Sequence, residues 1–188
     1  MGRRHPPRLA VALVLCLLAL LGACRGQGGA TDGPVRFDAA DDAEQFAYIK
    51  TLPGREVVFG ALGVTNHGDR PATLVDARLT GPSDQVVDGG ARLDRVLVRD
   101  ASHGEDYVGA GHWPNEIYAS DAVPLEDYEL APGATAELLY IVRVDEDGHW
   151  FWPRSAVTYT SNGRRYEDVT STGFLVCPRD VDDCRRPE

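Results

Sequence analysis

Acidic side chains outnumber basic ones 29 to 19 over the 188 residues, a formal net charge of −10 at pH 7. A surplus of that sign repels phosphate backbones and anionic lipid headgroups alike, which excludes nucleic acid as a partner. The chain beyond its N-terminal apolar run has the length of one domain and is large enough for a proper core.

The first element is a secretory signal over residues 1–23. Arg3, Arg4 and Arg8 form a positive start, Leu9 to Leu21 is an apolar run, and small residues Gly22 and Ala23 follow. That run is too short to cross a bilayer, which needs roughly 20 apolar residues. It is therefore expected to be cleaved, and Cys16 leaves with it. Leu21-Gly22-Ala23-Cys24 resembles a bacterial lipobox: a branched aliphatic, two small residues and the thiol. The resemblance implies that Cys24 becomes the lipid-anchor residue, its thiol a thioether to diacylglycerol. Two or more acyl chains hold stably, since each buried methylene contributes about 0.8 kcal/mol. The expected location is then the extracytoplasmic face of the cell membrane, with the membrane itself as a partner through the lipid. The alternative is an ordinary secretory peptide ending near Ala23, with Cys24 there by chance.

Residues 24–34 carry the lipidated cysteine and the run RGQGGATDGP, which has no apolar side chain larger than alanine. Such a segment cannot bury enough surface to order itself and reads as a tether with a reach of about 17 Å. Residues 35–176 form the folding unit, and 177–188 a polar tail. Cys177 and Cys184 are expected to pair outside the reducing cytosol, closing CPRDVDDC and pinning the tail behind the last strand. A metal reading of that loop lacks a second Cys or His at finger-like spacing.

The folding unit reads as strands. Phe46 to Leu52 is followed by the turn Pro53-Gly54 and then by Glu56 to Thr65, which is apolar on both faces. Asp38 to Gln45 admits a short helical turn. Asn66 to Pro71 is a dense turn signal, after which Ala72 to Thr80 carries Leu74, Ala77 and Leu79; the three-residue gap breaks alternation and predicts a bulge. Leu93 to Arg99 sets Val96 and Val98 against Arg95, Leu97 and Arg99. Ala134 to Val144 puts Leu138, Tyr140, Val142 and Val144 on one face, and its length makes it the candidate central strand. Ser155 to Thr160 and Arg164 to Val176 flank Ser161-Asn162-Gly163, a hairpin signal because Asn and Gly accept positive φ.

The segments VTNHGDRPATLVDARLTG, LAPGATAELLYIVRV and AVTYTSNGRRY are similar to immunoglobulin-like sandwich domains of bacterial lipoproteins, over roughly residues 55–82 and 130–176. The resemblance rests on turn glycines, a turn proline and alternating apolars, and it transfers no site residue. It implies adhesive, scaffolding or ligand-presenting modules. The expected fold is all-β: an antiparallel immunoglobulin-like β-sandwich of seven or so strands, behind a cleaved N-terminal lipoprotein signal helix.

Between the halves, Asp100 to Leu130 shows little alternation and exceeds the usual ~12–15 residues of a structureless connection. Long loops on a rigid sandwich are where binding concentrates. This one holds His103, Glu105, Asp106, Tyr107, His112, Trp113, Glu116, Tyr118 and Asp121, the candidate binding loop. His103 and His112 with a carboxylate would be ligands for zinc or copper, although neither sits at a recognised metal spacing. Tyr107, Trp113 and Tyr118 either stack on a glycan or a protein partner or pack the loop onto the sandwich. Trp150 and Trp152 alternate with Phe151 and read as a core or sandwich-end plug. The acidic clusters, among them Asp145-Glu146-Asp147-Gly148, lack calcium-loop spacing and read as a solvated face.

There is no Gly-x-Ser-x-Gly, His-Glu-x-x-His or glycine-rich phosphate loop, and no cofactor is called for. The expectation is a non-enzymatic, lipid-anchored binding or scaffolding module of the cell envelope, with an envelope protein or glycan as the partner held there. A metal-binding lipoprotein is the alternative, and an envelope hydrolase the third reading.

Overall fold

The computed structural model describes residues 32–38, 45–81, 89–102, 108–115 and 119–186. Its thirteen strands are β1 (Val35–Phe37), β2 (Phe46–Thr51), β3 (Arg55–Asn66), β4 (Ala72–Thr80), β5 (Ala91–Asp100), β6 (Ala110–Trp113), β7 (Val123–Pro124), β8 (Glu129–Leu130), β9 (Thr135–Val144), β10 (Trp150–Trp152), β11 (Arg154–Ser161), β12 (Arg164–Thr170) and β13 (Gly173–Pro178). One layer is a six-stranded sheet in the order β1-β3-β9-β5-β7, with β6 also on β3. Facing it are a four-stranded sheet, β12-β11-β4-β8, and a three-stranded one, β10-β13-β2.

Strand β9 is central. It pairs antiparallel with β3 on one side and β5 on the other along nearly its whole length. Its even residues Leu138, Tyr140, Val142 and Val144 are buried in the main core, as their alternation predicts. Opposite them lie Leu74, Ala77 and Leu79 of β4, Val157 and Tyr159 of β11, and Phe174 and Val176 of β13. Phe174 stacks on Phe59 at 4.6 Å between ring centres, so aromatic packing joins the two layers.

Bulges explain the strands whose alternation is confused. In β4 the predicted bulge is present: Thr158 opposes Asp76 while Tyr159 opposes Leu74, leaving Val75 as the extra residue. In β3 the register shifts between Phe59 and Leu62. Val57 and Phe59 therefore share the core side with Leu62 and Val64 despite opposite parity, which is why the strand reads as apolar on both faces. A third shift in β5, between Leu93 and Arg95, does the same for Val96 and Val98.

Three expectations change. Arg164 to Val176 is two strands, because the chain turns at Ser171-Thr172, where the Thr172 amide donates to Thr170 Oγ1 (3.2 Å). Ser155 pairs with Thr170 before that corner and Trp152 with Phe174 after it, so one long ribbon bends from one sheet into another. The sandwich is not purely antiparallel either: β2 runs parallel to β13, from Gly173 opposite Phe46 to Pro178 opposite Thr51. The segment from Asp100 to Leu130 holds three short strands, β6, β7 and β8, each too brief for alternation to show. The hairpin turn is as expected, with φ of 50° at Asn162 and 72° at Gly163. The possible helical turn before β2 falls mostly on residues 39–44, outside the described residues.

Trp152 is buried among the core side chains. Trp150 is half-buried and lies across Gly89, Gly90 and Gly148; a Cβ on Gly89 would meet its ring at 2.3 Å. The plug expected of this pair holds for Trp152 fully and for Trp150 in part. Cys177 and Cys184 form a disulfide. No helix among the described residues is long and apolar enough to cross a membrane.

Candidate functional site

The outer face of the six-stranded sheet has its own small core. Val58 of β3 and Leu139 and Ile141 of β9 are covered by Val108, with Leu97, Trp113 and Ala122 packed around them. Val108, Trp113 and Ala122 of the segment after β5 thus lie over this face. Beneath them lies a buried ion pair: Arg99 donates to Glu137 Oε2 from Nη2 (2.7 Å) and Nε (3.1 Å). The other carboxylate oxygen accepts the Val108 amide at 2.6 Å. Next to it the Gly60 amide donates to the Gly109 carbonyl (2.9 Å), and a Cβ on Gly60 would come within 2.4 Å of the Val108 oxygen. Glycine at the β3 bulge is what admits the covering backbone.

These contacts aim the chain into β6, which pairs with the first half of β3, Val57 opposite His112 and Glu56 opposite Trp113. Alternation then sends Trp113 to the outer cluster and leaves His112 exposed on the other side. Between β2 and β3 the turn Pro53-Gly54, with Gly54 at φ 77°, carries the chain from one layer to the other. It sets the end of β2 against the start of β3 and the edge of β6.

The result is an open cleft of about 400 Å³ at the edge of the sandwich. Lys50, Thr51 and Leu52 line one side; Arg55 and Glu56, with His112 and Trp113, line the other. Arg179, from the loop closed by the disulfide, completes it. The Lys50 ammonium donates to the Val181 and Asp182 carbonyls (2.6 and 3.0 Å), so the disulfide loop is tied directly to β2. Glu56 is held by Arg95, with contacts of 3.1 and 3.3 Å, and Asp94 shares the same guanidinium. Arg55 and Arg179 are exposed and have no carboxylate partner among the described residues.

Of the predicted binding residues, the structure brings His112 and Trp113 to this cleft. Asp121 is exposed, and Ser120 donates to it (3.3 Å); it does not line the cleft. His103, Glu105, Asp106, Tyr107, Glu116 and Tyr118 lie outside the described residues, as does the lipid-anchor residue Cys24. No three metal-ligating side chains gather among the described residues. The sequence reading passes over Lys50, Thr51, Arg55, Glu56 and Arg179. Only their convergence across a layer-crossing turn, a parallel strand pair and a disulfide marks them, and local spacing carries none of that.

No family model matches the chain, and no curated protein matches it in sequence. Among solved structures it is similar to the Vibrio cholerae VesB protease (10% identity, TM-score 0.35, 71% of this chain and 30% of that one). It is also similar to the ASH/PapD-like domain 7 of human CEP192 (9%, 0.38, 79% and 87%). A third similarity is to the N-terminal domain of PorA (9%, 0.31, 76% and 95%). The chain therefore spans less than a third of the protease chain it resembles. The site is read from its own geometry.

Proposed function

We propose that this chain is a lipid-anchored, non-enzymatic binding module of the cell envelope, an immunoglobulin-like sandwich held on Cys24 and the glycine-rich tether at the extracytoplasmic face of the membrane. The observation that supports binding is the cleft itself. Charged and aromatic side chains from β2, β3, β6 and the tail converge there, on strands whose positions are fixed by bulges, a disulfide and a buried ion pair. Sites built on such a scaffold are well placed for recognition. The anchor is supported by the lipobox resemblance and by export-compatible cysteine use.

Hydrogen exchange on the full chain, with and without solubilised envelope extract, tests the binding reading. Protection is expected at residues 50–56, 110–114 and 177–181, and its absence from all three sinks the proposal. The anchor is tested separately by fatty-acid labelling in a bacterial host, where Cys24→Ser is expected to abolish incorporation. The zinc or copper alternative needs His103 beside His112, and no observation on the described residues favours it.

A further inference from the structure

We propose that the cleft binds a phosphate-type oxyanion carried on a small solute; this rests on the binding-module reading above and names its ligand chemistry. Acids outnumber bases in this chain, and several of its arginines have found one. Arg36 pairs with Asp168, Arg78 with Glu167, Arg92 and Arg143 with Asp145, Arg95 with Glu56 and Arg99 with Glu137. Against that background the cleft gathers Lys50, Arg55 and Arg179 and offers them no free carboxylate. Its single acid, Glu56, is engaged by Arg95, which Asp94 shares, so the three cations are set against one lining carboxylate. Lys50 gives two of its three donors to carbonyls, whose dipoles do not cancel its charge.

Arginine forks and a lysine point charge suit a tetrahedral anion. Three positive charges exceed what one carboxylate neutralises, whereas a phosphate monoester brings nearly two negative ones. The volume fits a small molecule, since such sites run from about 300 Å³ upward. Trp113 and Leu52 give the body of the ligand an apolar wall. The overall negative charge works against polyanions and anionic bilayers, while a compact anion within a Debye length of about 8 Å feels mainly the local cations.

The experiment is a calorimetric titration of the Cys24→Ser full chain, which carries no lipid, with inorganic phosphate, glycerol 3-phosphate and acetate, and with vesicles with and without phosphatidylglycerol. Saturable binding of phosphate or its ester at one site, with acetate at least tenfold weaker, is expected. Arg55→Ala and Arg179→Ala should each weaken it about tenfold or more, and Arg164→Ala, on the distant hairpin, not at all. Unchanged urea midpoints show that the arginine variants are folded. Glycerol 3-phosphate binding tighter than phosphate assigns a soluble ester, and binding to vesicles alone assigns a lipid headgroup as the source of the same oxyanion. Failure of every anion to bind the parent, or equal binding by all variants, overturns the proposal. If cleft protection by envelope extract persists in that case, the oxyanion falls and the binding module stands; if both are lost, both fall.

Discussion

Glu137→Ala tests whether the covering segment is docked through the buried ion pair. Glu137 is fully buried, and its carboxylate accepts from Arg99 Nη2, Arg99 Nε and the Val108 amide at 2.7, 3.1 and 2.6 Å. Removing one member of a buried pair costs about 3–5 kcal/mol, because the charge that remains keeps its desolvation penalty. The stranded Val108 amide falls within the same range as a lost buried hydrogen bond, about 1–3 kcal/mol, and overlaps with it. A total near 4 kcal/mol, with a urea slope of about 2 kcal/mol per molar, lowers the unfolding midpoint by about 2 M. Glu137→Gln keeps an oxygen for Val108 and should lose less. Pairing Glu137→Gln with Arg99→Met removes the buried charge altogether and should recover most of the loss. Urea unfolding followed by circular dichroism reads all three. A midpoint shift under about 0.5 M for Glu137→Ala would refute the reasoning, since it would mean that the pair is hydrated in solution and the segment does not depend on it.

Gly60→Ala pushes a methyl to 2.4 Å from the Val108 carbonyl and is expected to cost about 1–3 kcal/mol by overpacking, with faster hydrogen exchange at residues 108–113 as the specific sign. Asn66→Ala removes a buried amide that donates to the Arg70 and Leu130 carbonyls and accepts the Gly68 amide; a loss of about 2–3 kcal/mol in the same urea assay is expected. Cys177→Ser with Cys184→Ser opens a short loop and should cost at most about 2.5 kcal/mol in the chain-entropy model, with enhanced proteolysis of the tail because Lys50 no longer has a fixed loop to hold. In alkali, burial holds the Tyr140, Tyr159 and Tyr128 hydroxyls above the ordinary phenol range. Their folded-state values are raised, so the stability they confer is fully present below pH ~10 and is lost as pH rises through the folded values. Ultraviolet titration should therefore show these three hydroxyls ionising only with unfolding, and a reversible rise in phenolate from all three below the unfolding transition would refute it.

What the sequence made legible was whatever a strand declares about itself. The two faces of β9, the β4 bulge from the Leu74–Ala77 gap, the Asn162-Gly163 turn and the Cys177–Cys184 disulfide are local patterns with local causes. Pairing partners were not legible. Nothing within Phe46–Thr51 says that it will lie parallel to residues at the far end of the chain, and Leu97 and Arg99, which alternate outward from the core, look solvent-facing until another segment covers them. Of the site, His112 and Trp113 were reached because they are conspicuous residue types in a long irregular stretch. The basic residues opposite them are unremarkable one by one and gain meaning only by where they converge.

That convergence depends on a chain of supports that runs through both layers. Glu137 fixes Val108, which leads into β6 and so places His112 and Trp113; independently, the parallel β2–β13 pair sets Cys177 beside Lys50, and the disulfide brings Arg179 back over the end of β2. The two walls of the cleft thus have separate anchors. Loosening one should move one wall and leave the other in register, so the Glu137→Ala and cysteine-to-serine variants are expected to weaken phosphate binding by different routes and, when combined, to do so additively. Non-additivity beyond about 0.5 kcal/mol would show that the walls are coupled and that the supports described as separate are one.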